Sequence, residues 1–589
     1  MAGERARFSS FEADLETGEL FQNGVKLPLQ EKPFQILALL LQSPGELITR
    51  EEIASKVWPG VFVENDLCLN TAVRRLRAVL EKAVPATDLI ETVGSRGYRL
   101  RAQVNIQPAH ASQSRNHEGL RLAVLPFVNL NEDPRDHSCE GLTAQMIVQL
   151  GRAYKSLSVI SPVTSFYFTG KTKSLAQITQ RLRADYVLQG TVWRLSPQLR
   201  ISARLTRCAD QCCVWSDSFV RQDRDIFQVQ DEIARSISHE LMQALPEVPS
   251  LPACLMSKPA VYDKYLKARF FSYKFVQSSF EKATKLFEQV IEEDPNFAPA
   301  YAALAQMLTA AVTYGGPPHQ LFYDRIEDLA HRALQMSEDL GEAHCALGWT
   351  KLWRMDPTEG ERSFRRAIEI NPSLPVPHIG LGHLLTAVHR HDEAIAAGKR
   401  ACELDPLSPV PHSMLGLHLY AAGKLDEATA CEEEALEIDP GFCPAHAMLG
   451  FINHEMGEMD RAVLSLQRAV QHGPDTPLMK CFLARELASA GRAEEARQIL
   501  NEILDLRKTN CIPATTVAFI YHALGEHEQA WEWLETAIRE LDPWQFGIAV
   551  DPRYRCFWNN DDRFLNLLRR YDFPMVIIEP FVSRACFAR

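Results

Sequence analysis

Three arginines fall within four positions in Thr71-Ala72-Val73-Arg74-Arg75-Leu76-Arg77, with Asn70 immediately ahead of them. Guanidinium and amide edges can pair with guanine and adenine in a DNA major groove, while a further arginine can reach phosphate. Arg96, in the turn Gly94-Ser95-Arg96-Gly97, is placed for that second contact. Asn70, Thr71, Arg74, Arg75, Arg77 and Arg96 are therefore the candidate DNA-binding residues. The competing reading of the helix arginines is solvation on an amphipathic helix. Arg77, at the flank of the apolar stripe, is also placed to pair with a carboxylate inside the domain.

Other groupings with chemical potential lead less far. Cys208, Cys212 and Cys213 lack a second pair at zinc-finger spacing, so a packed strand end is expected there. Asp133, Asp185 and Asp231 would make a metal set only if brought together, and their loop, strand-edge and helix-cap positions favour structural roles. His344, His378, His412 and His446 recur every 34 residues. Equivalent positions on stacked helices lie ~8–10 Å apart, too far to share a metal at bond lengths of ~2 Å. Each is expected to pack and satisfy a backbone carbonyl, with pH sensing as the alternative. The sequence holds no Walker loop, Rossmann fingerprint, HExxH or local Ser-His-Asp set, so no catalytic residue, cofactor or metal is assigned and the chain reads as a non-enzyme.

The elements that must position the arginines are legible. Phe11–Asp14 and Glu19–Phe21 flank a Gly18 turn, and Asn23-Gly24 turns the chain into Val25–Leu27, giving a small antiparallel sheet. Gln35–Gln42 carries one apolar stripe, and Arg50–Val57 follows Thr49, a suitable cap. A third helix begins near Asn65-Asp66 and gathers Leu69, Val73, Leu76 and Leu80 on one face, so Asn70, Thr71, Arg74 and Arg75 point away from it. A hairpin, Ile90–Val93 with Tyr98–Leu100, carries Arg96 at its tip. Residues 66–101 hold seven Lys/Arg against four Asp/Glu, whereas residues 1–65 hold six against ten, so positive charge collects on the helix and hairpin of a slightly acidic domain.

At Leu47–Glu52, Val57-Trp58, Thr71–Arg77 with Leu80-Glu81, and Ile90–Val93 with Arg96–Leu100, the sequence resembles the OmpR/PhoB-type winged-helix DNA-binding domain, in its CadC-like branch. The resemblance implies a recognition helix over about Asn65–Lys82 and a wing over about Glu91–Arg101. That family commonly serves phosphorelays, but no receiver domain with a phosphoacceptor aspartate precedes the winged helix, which argues against such control.

Ala102–Glu118 is polar and aperiodic and reads as a linker; membrane-bound CadC-like regulators carry a spanning helix there. Strands and helices then alternate from Leu120 to about Leu245, an α/β sandwich with strands at 121–127, 157–160, 186–194 and 200–206 and helices at 141–153, 175–183 and 226–241. Ala123–Leu130, Gly141-Leu142-Thr143, Ala184–Gly190 and Asp225–Ala234 resemble the TolB-amino-terminal-like domain, which also accompanies some class III adenylyl cyclases and implies a scaffold or ligand-sensing role. Pro372, Pro406, Pro440 and Pro474 then fall 34 residues apart, as do Leu-Gly pairs at 347, 381, 415 and 449 and alanines at 394, 428, 462, 496 and 530. This is the tetratricopeptide period, a stack of helix pairs with a concave surface suited to proteins or peptides. Repeats start near 264, 298, 341, 375, 409, 443, 477 and 511, and a helix near Asp562–Arg570 is expected to cap the end.

The sequence of 589 residues carries a net charge of −12 and no apolar run near the ~20 residues of a membrane span, and its fourteen scattered cysteines suit a reduced compartment. The expected fold is multidomain and mainly α: a winged helix (1–101), a linker (102–118), an α/β domain (119–245), an all-α tetratricopeptide solenoid (264–544) and a carboxy-terminal cap (545–589). The expected function is sequence-specific transcriptional regulation from the cytoplasm in signal transduction. Double-stranded DNA is one partner, a protein or peptide on the concave surface the other, with no membrane partner and a homodimer on DNA compatible. A scaffold with a winged helix that binds no DNA, or a cyclase-associated signalling protein, are the alternatives.

Overall fold

The computed structural model describes residues 4–579 except for 15–17, 23–24, 28, 58–64, 84–88, 95, 103, 109–119, 132–136, 170–174, 196–197, 223–228, 230–231, 234, 238–257, 275–276, 314–318, 474–475, 509–511 and 559–560. Two compact units divide the chain, Met1–Glu118 and Gly119–Arg589.

In the first unit β1 (Glu4–Phe8), β2 (Phe11–Asp14), β3 (Glu19–Gln22) and β4 (Val25–Leu27) precede α1 (Glu31–Gln42), β5 (Ile48–Thr49), α2 (Arg50–Val57), α3 (Asn65–Ala83), β6 (Ile90–Val93), β7 (Gly97–Leu100) and β8 (Val104–Pro108). Thr49 does cap α2, its hydroxyl accepting from Glu52 N at 3.2 Å. The stretch read as a linker is partly structured: β8 pairs antiparallel with β1, Ala6 opposite Ile106, and closes a five-stranded sheet of order β4-β3-β2-β1-β8. Its partner lies about 100 residues away in sequence, so local composition alone could not reveal it. A three-stranded sheet, β5-β7-β6, forms the wing, and Leu37, Leu40, Leu41, Leu76 and Leu100 make the unit's dry centre.

The second unit opens with β9 (Leu120–Val124), β10 (Val128–Asn129), α4 (Ser138–Ala153), β11 (Leu157–Val159), α5 (Pro162–Phe166), α6 (Leu175–Leu182), β12 (Tyr186–Leu195), β13 (Gln198–Arg207) and β14 (Cys213–Gln222). Strand order is β11-β9-β12-β13-β14, parallel across β11, β9 and β12 and antiparallel beyond. Parallel strands need cover on both faces. Leu122 and Val124 face the α4 side, while Ala123 and Leu125 pack with Leu182 of α6 and with Leu407 of the solenoid. Strand β14, absent from the sequence reading, is an edge strand with Phe219 as its one buried side chain, so alternation is almost erased. The helix expected over 226–241 falls mostly outside the described residues. Asp133 and Asp231 also lie outside them; Asp185 accepts Arg121 N at 2.9 Å, tying a strand end.

Eight helix pairs follow: α7 (Pro259–Ser272) and α8 (Gln277–Glu293), α9 (Ala298–Thr313) and α10 (His319–Met336), α11 (Gly341–Trp353) and α12 (Pro357–Ile370), α13 (Pro375–Ala387) and α14 (His391–Leu404), α15 (Pro409–Ala421) and α16 (Leu425–Ile438), α17 (Cys443–Glu455) and α18 (Met459–His472), α19 (Pro477–Ser489) and α20 (Ala493–Leu506), α21 (Ala514–Ala523) and α22 (His527–Arg539). The first helices from α9 onward pack on one another while the second helices do not pair comparably, so the first helices line the inside of the curve. Gly423, Gly457, Gly491 and Gly525 end first helices at φ of +75° to +79°; in two earlier repeats Met355 and His389 take the same left-handed turn.

In the third, fifth and sixth repeats a glycine of the first helix receives a side chain of the second. A Cβ on Gly348 would stand 2.6 Å from Phe364, one on Gly416 2.2 Å from Glu432, and one on Gly450 2.7 Å from Leu466. The equivalent second-helix residue in the fourth repeat is Gly398, and His418 of the next repeat fills the gap instead, 2.3 Å from a Cβ on Gly382. The four periodic histidines behave alike: His344, His378, His412 and His446 donate through Nε2 to the carbonyls of Glu338, Pro372, Pro406 and Pro440 at 3.0, 3.3, 3.2 and 3.0 Å. Burial pushes His344 and His446 down and His378 to about 4. His412 moves the other way: burial opposes protonation, but the neighbouring Cys402 and Glu434 outweigh it.

The α/β layer is bolted to the solenoid by buried hydrogen bonds. Asp405, at the end of α14, accepts from Ser161 Oγ, from Thr164 N at 3.1 Å and from Thr164 Oγ1 at 2.7 Å. Ser373 Oγ donates to Leu157 O and accepts Val159 N, each at 3.0 Å, extending the edge of β11. After α22 the chain turns inward through 541–554, forms α23 (Arg555–Trp558), and returns as α24 (Asp561–Arg570), whose Arg563 and Arg570 pair with Glu528 and Glu535 at 2.9 and 3.0 Å. Among the described residues no helix is long and apolar enough to cross a membrane.

Candidate nucleic-acid interface

Helix α3 buries Leu69, Ala72, Val73, Leu76 and Leu80, each at most 6% exposed, against α1 and α2. At about 100° per residue, Thr71, Arg74 and Ala78 then lie farthest from the core, Asn70 and Arg77 on one shoulder, and Arg75 on the other.

The two shoulders are engaged within the protein. Arg77 donates from Nε and Nη2 to Ile90 O at 3.2 and 2.6 Å and from Nη2 to Thr92 Oγ1 at 2.7 Å. The sequence allowed an internal partner for Arg77; that partner is a strand carbonyl and a hydroxyl rather than a carboxylate. Its guanidinium therefore fixes the angle between α3 and the wing. On the same shoulder Arg50 Nη1 donates to Tyr98 Oη at 2.9 Å, and Arg50 Nη2 and Tyr98 Oη both donate to Asn70 Oδ1 at 2.5 and 3.0 Å. Arg50 also lies over the Tyr98 ring, 5.4 Å from its centroid. Bidentate pairing of asparagine with adenine needs that same amide oxygen as an acceptor. Asn70 thus serves first to join α2, α3 and β7. Sequence reasoning missed Arg50 and Tyr98 in this role, since they come from elements far apart in the chain. On the opposite shoulder Arg75 Nη1 donates to Gln30 Oε1 at 2.6 Å, just ahead of α1.

Arg74 and Arg96 differ. Both are exposed, and neither side chain has a partner among the described residues. Arg96 sits at the hairpin tip, where its backbone N donates to Val93 O at 3.2 Å beside Gly94 at φ +56°. Thr71 is half-buried on the outer face of α3. Farther along the wing, Arg101 and Arg99 flank Glu91 at 2.8 and 3.6 Å; the Arg101 hydrogen bond, with the charge of both arginines, holds that carboxyl below its usual range. Arg74 on α3 and Arg96 at the tip of the hairpin are thus exposed cations with no partner among the described residues. Elsewhere, Cys208 is pushed up to about 12 by burial, Cys212 and Cys213 are exposed, and no group of three metal-ligating side chains converges among the described residues.

Comparison with known proteins gives three domain matches. Residues 24–100 match the transcriptional regulatory protein C-terminal domain, residues 118–236 the second domain of HilA/YgeH-like transcriptional regulators, and residues 455–510 a tetratricopeptide repeat. The middle region thus has a regulator-domain likeness. Transcriptional regulator HilA of Salmonella typhimurium is 22% identical over 365 residues, 60% of this chain and 62% of that protein. Putative adenylate cyclase 3 of Rhizobium meliloti is 30% identical over 246 residues, 40% of this chain and 41% of that protein. The chain therefore spans between about two-fifths and three-fifths of the length of these curated relatives. Among solved structures, the DNA-binding domain of E. coli CadC is similar at 24% identity, covering 18% of this chain and 98% of that one with a TM-score of 0.17.

Proposed function

We propose that this chain, which joins an OmpR/PhoB-type winged helix to a HilA-like regulator domain and tetratricopeptide repeats, is a sequence-specific DNA-binding transcriptional regulator. Helix α3 enters the major groove and the wing lies along the adjacent backbone. The observation that carries this reading is the sorting of the arginines: Arg77 and Arg75 hold the scaffold, while Arg74 and Arg96 stand exposed with no partner among the described residues. Arg74 takes a base edge and Arg96 a phosphate, with Thr71 beside them; Asn70 contributes mainly by keeping the wing in register. The solenoid and the α/β layer bolted to it form the receiving end, where a protein or peptide signal docks on the first helices.

Selection of bound sites from randomised duplexes by the full chain tests the reading. An enriched motif whose discrimination at one base pair is lost in Arg74→Ala supports it. Binding of every duplex no tighter than a scrambled control at low salt would replace it with the scaffold reading, which the slight acidity of residues 1–101 favours.

A further inference from the structure

The inner channel of the solenoid is already filled, and by the chain's own residues. After α22 the segment 541–558 runs along the first helices from the third repeat to the eighth. Its entry is tied by Tyr323 Oη, which donates to Leu541 O at 2.9 Å, and by Asp542 Oδ2, which accepts Thr515 N at 3.0 Å. Gln545 Nε2 donates to the last carbonyl of α11, Trp353 O, at 2.9 Å, and Phe546 packs on His383 with ring centroids 5.5 Å apart. Arg553 is 4% exposed. Its Nε lies 3.0 Å from both oxygens of Asp551, and its guanidinium is caged by Phe451, Trp544 and Phe482 at 4.6, 5.3 and 5.8 Å from their ring centres. Outside the cage Arg555 pairs with Glu455 at 2.5 Å. The cavity left beside His383 and His418 is about 20 Å³, room for a water but for no side chain.

These contacts have the character of docked recognition. The segment brings its own ion pair, Asp551 with Arg553, and the ring of Trp544, while the solenoid supplies Phe451 and Phe482 around the guanidinium and the Trp353 carbonyl for Gln545. This is specific chemistry, whereas an end cap needs only apolar cover, which α24 already provides with Phe564, Leu565 and Leu568. Resting on the reading of the solenoid as a receptor, we infer that this channel is a binding site for an aromatic, arginine-bearing peptide and that residues 541–558 are its resident ligand. An outside peptide of the same chemistry enters only as this segment withdraws. Only two residues separate α22 from Asp542, so the segment competes at a high effective concentration.

The test uses the full chain and a labelled synthetic peptide with the sequence of residues 541–558, alongside a scrambled version. Trp544→Ala weakens the resident segment; Asp551→Asn combined with Arg553→Met does so without leaving a lone buried charge. Each variant is expected to bind the peptide at least about 10²-fold more tightly than the parent chain. Hydrogen exchange in both should rise in 541–558 and in α13 and α15 while the α/β layer stays protected. Equal peptide binding by parent and variants would overturn the inference and leave the receptor reading intact. Loss of protection across all eight repeats at once in both variants would overturn it too, making the segment part of the solenoid core. If exchange shows the segment released and no peptide binds, the inference and the receptor reading fall together, with DNA binding unaffected.

Discussion

Arg74 and Arg553 are the same side chain in opposite settings. Arg74 stands on the outer face of α3 with no partner among the described residues, whereas Arg553 lies inside the solenoid between three aromatic rings and a carboxylate. A guanidinium left in water keeps its hydrogen-bonding capacity for an anionic partner, while one taken out of water must have all of it satisfied by the fold. The winged helix therefore presents charge, and the solenoid consumes it. Arg77 stands between them: half-buried on α3, engaged by β6, and a positioning group for the surface that Arg74 occupies.

The largest effect that could break this contrast is in the channel. Arg553→Ala would leave Asp551 buried and unpaired, and a loss of about 3–5 kcal/mol in denaturant unfolding of the second unit is expected. An unchanged midpoint would mean that the ion pair is solvated and the channel open. Next in size is Glu432, which is fully buried beside Ser413 and His412, and whose pKa burial raises well above the ordinary value against the opposing pull of those two neighbours. Because the folded pKa is raised, its contribution is intact below an ordinary carboxylate pKa of about 4.3 and is lost as pH rises toward the folded value. Glu432→Leu, the residue type at Leu466 one repeat later, should stabilise the chain by about 1–3 kcal/mol at pH 8 and flatten that slope. A parallel pH–stability curve for the variant would show that Glu432 does not titrate with unfolding.

On the winged helix the expected effects fall on binding and spare the fold. Arg74→Ala should cost about 1–3 kcal/mol on the preferred duplex and relax the choice at one base pair, while unfolding shifts by less than about 0.5 kcal/mol. A larger stability loss would mark Arg74 as a structural arginine like Arg77. The smallest expected change is that of Arg96→Ala, which should weaken specific and random duplexes equally and lower the salt slope by about one. A sequence-dependent loss would move Arg96 from phosphate to base contact.

How far each part was legible depends on the range of its interactions. Helices α1–α3, the wing hairpin and the eight repeats announce themselves through 3.6-residue stripes, a glycine at a tight turn and a 34-residue period, all written within a few dozen residues. The carbonyl-satisfying role of the four periodic histidines was readable for the same reason, since each bonds a residue six positions earlier. Sequence alone also placed every candidate arginine on the correct element. Only the tertiary structure decided which of them is committed: Arg77 to Ile90, Arg75 to Gln30, and Asn70 to Arg50 and Tyr98. It alone also decided that β8 belongs to the first sheet, that Asp405 caps α5 across more than 240 residues, and that 541–558 fills the channel the repeats create. Local periodicity sets which face of an element is apolar, because that follows from backbone geometry. Which polar group then meets which depends on bringing distant segments together, and that choice lies in the packing of the whole chain.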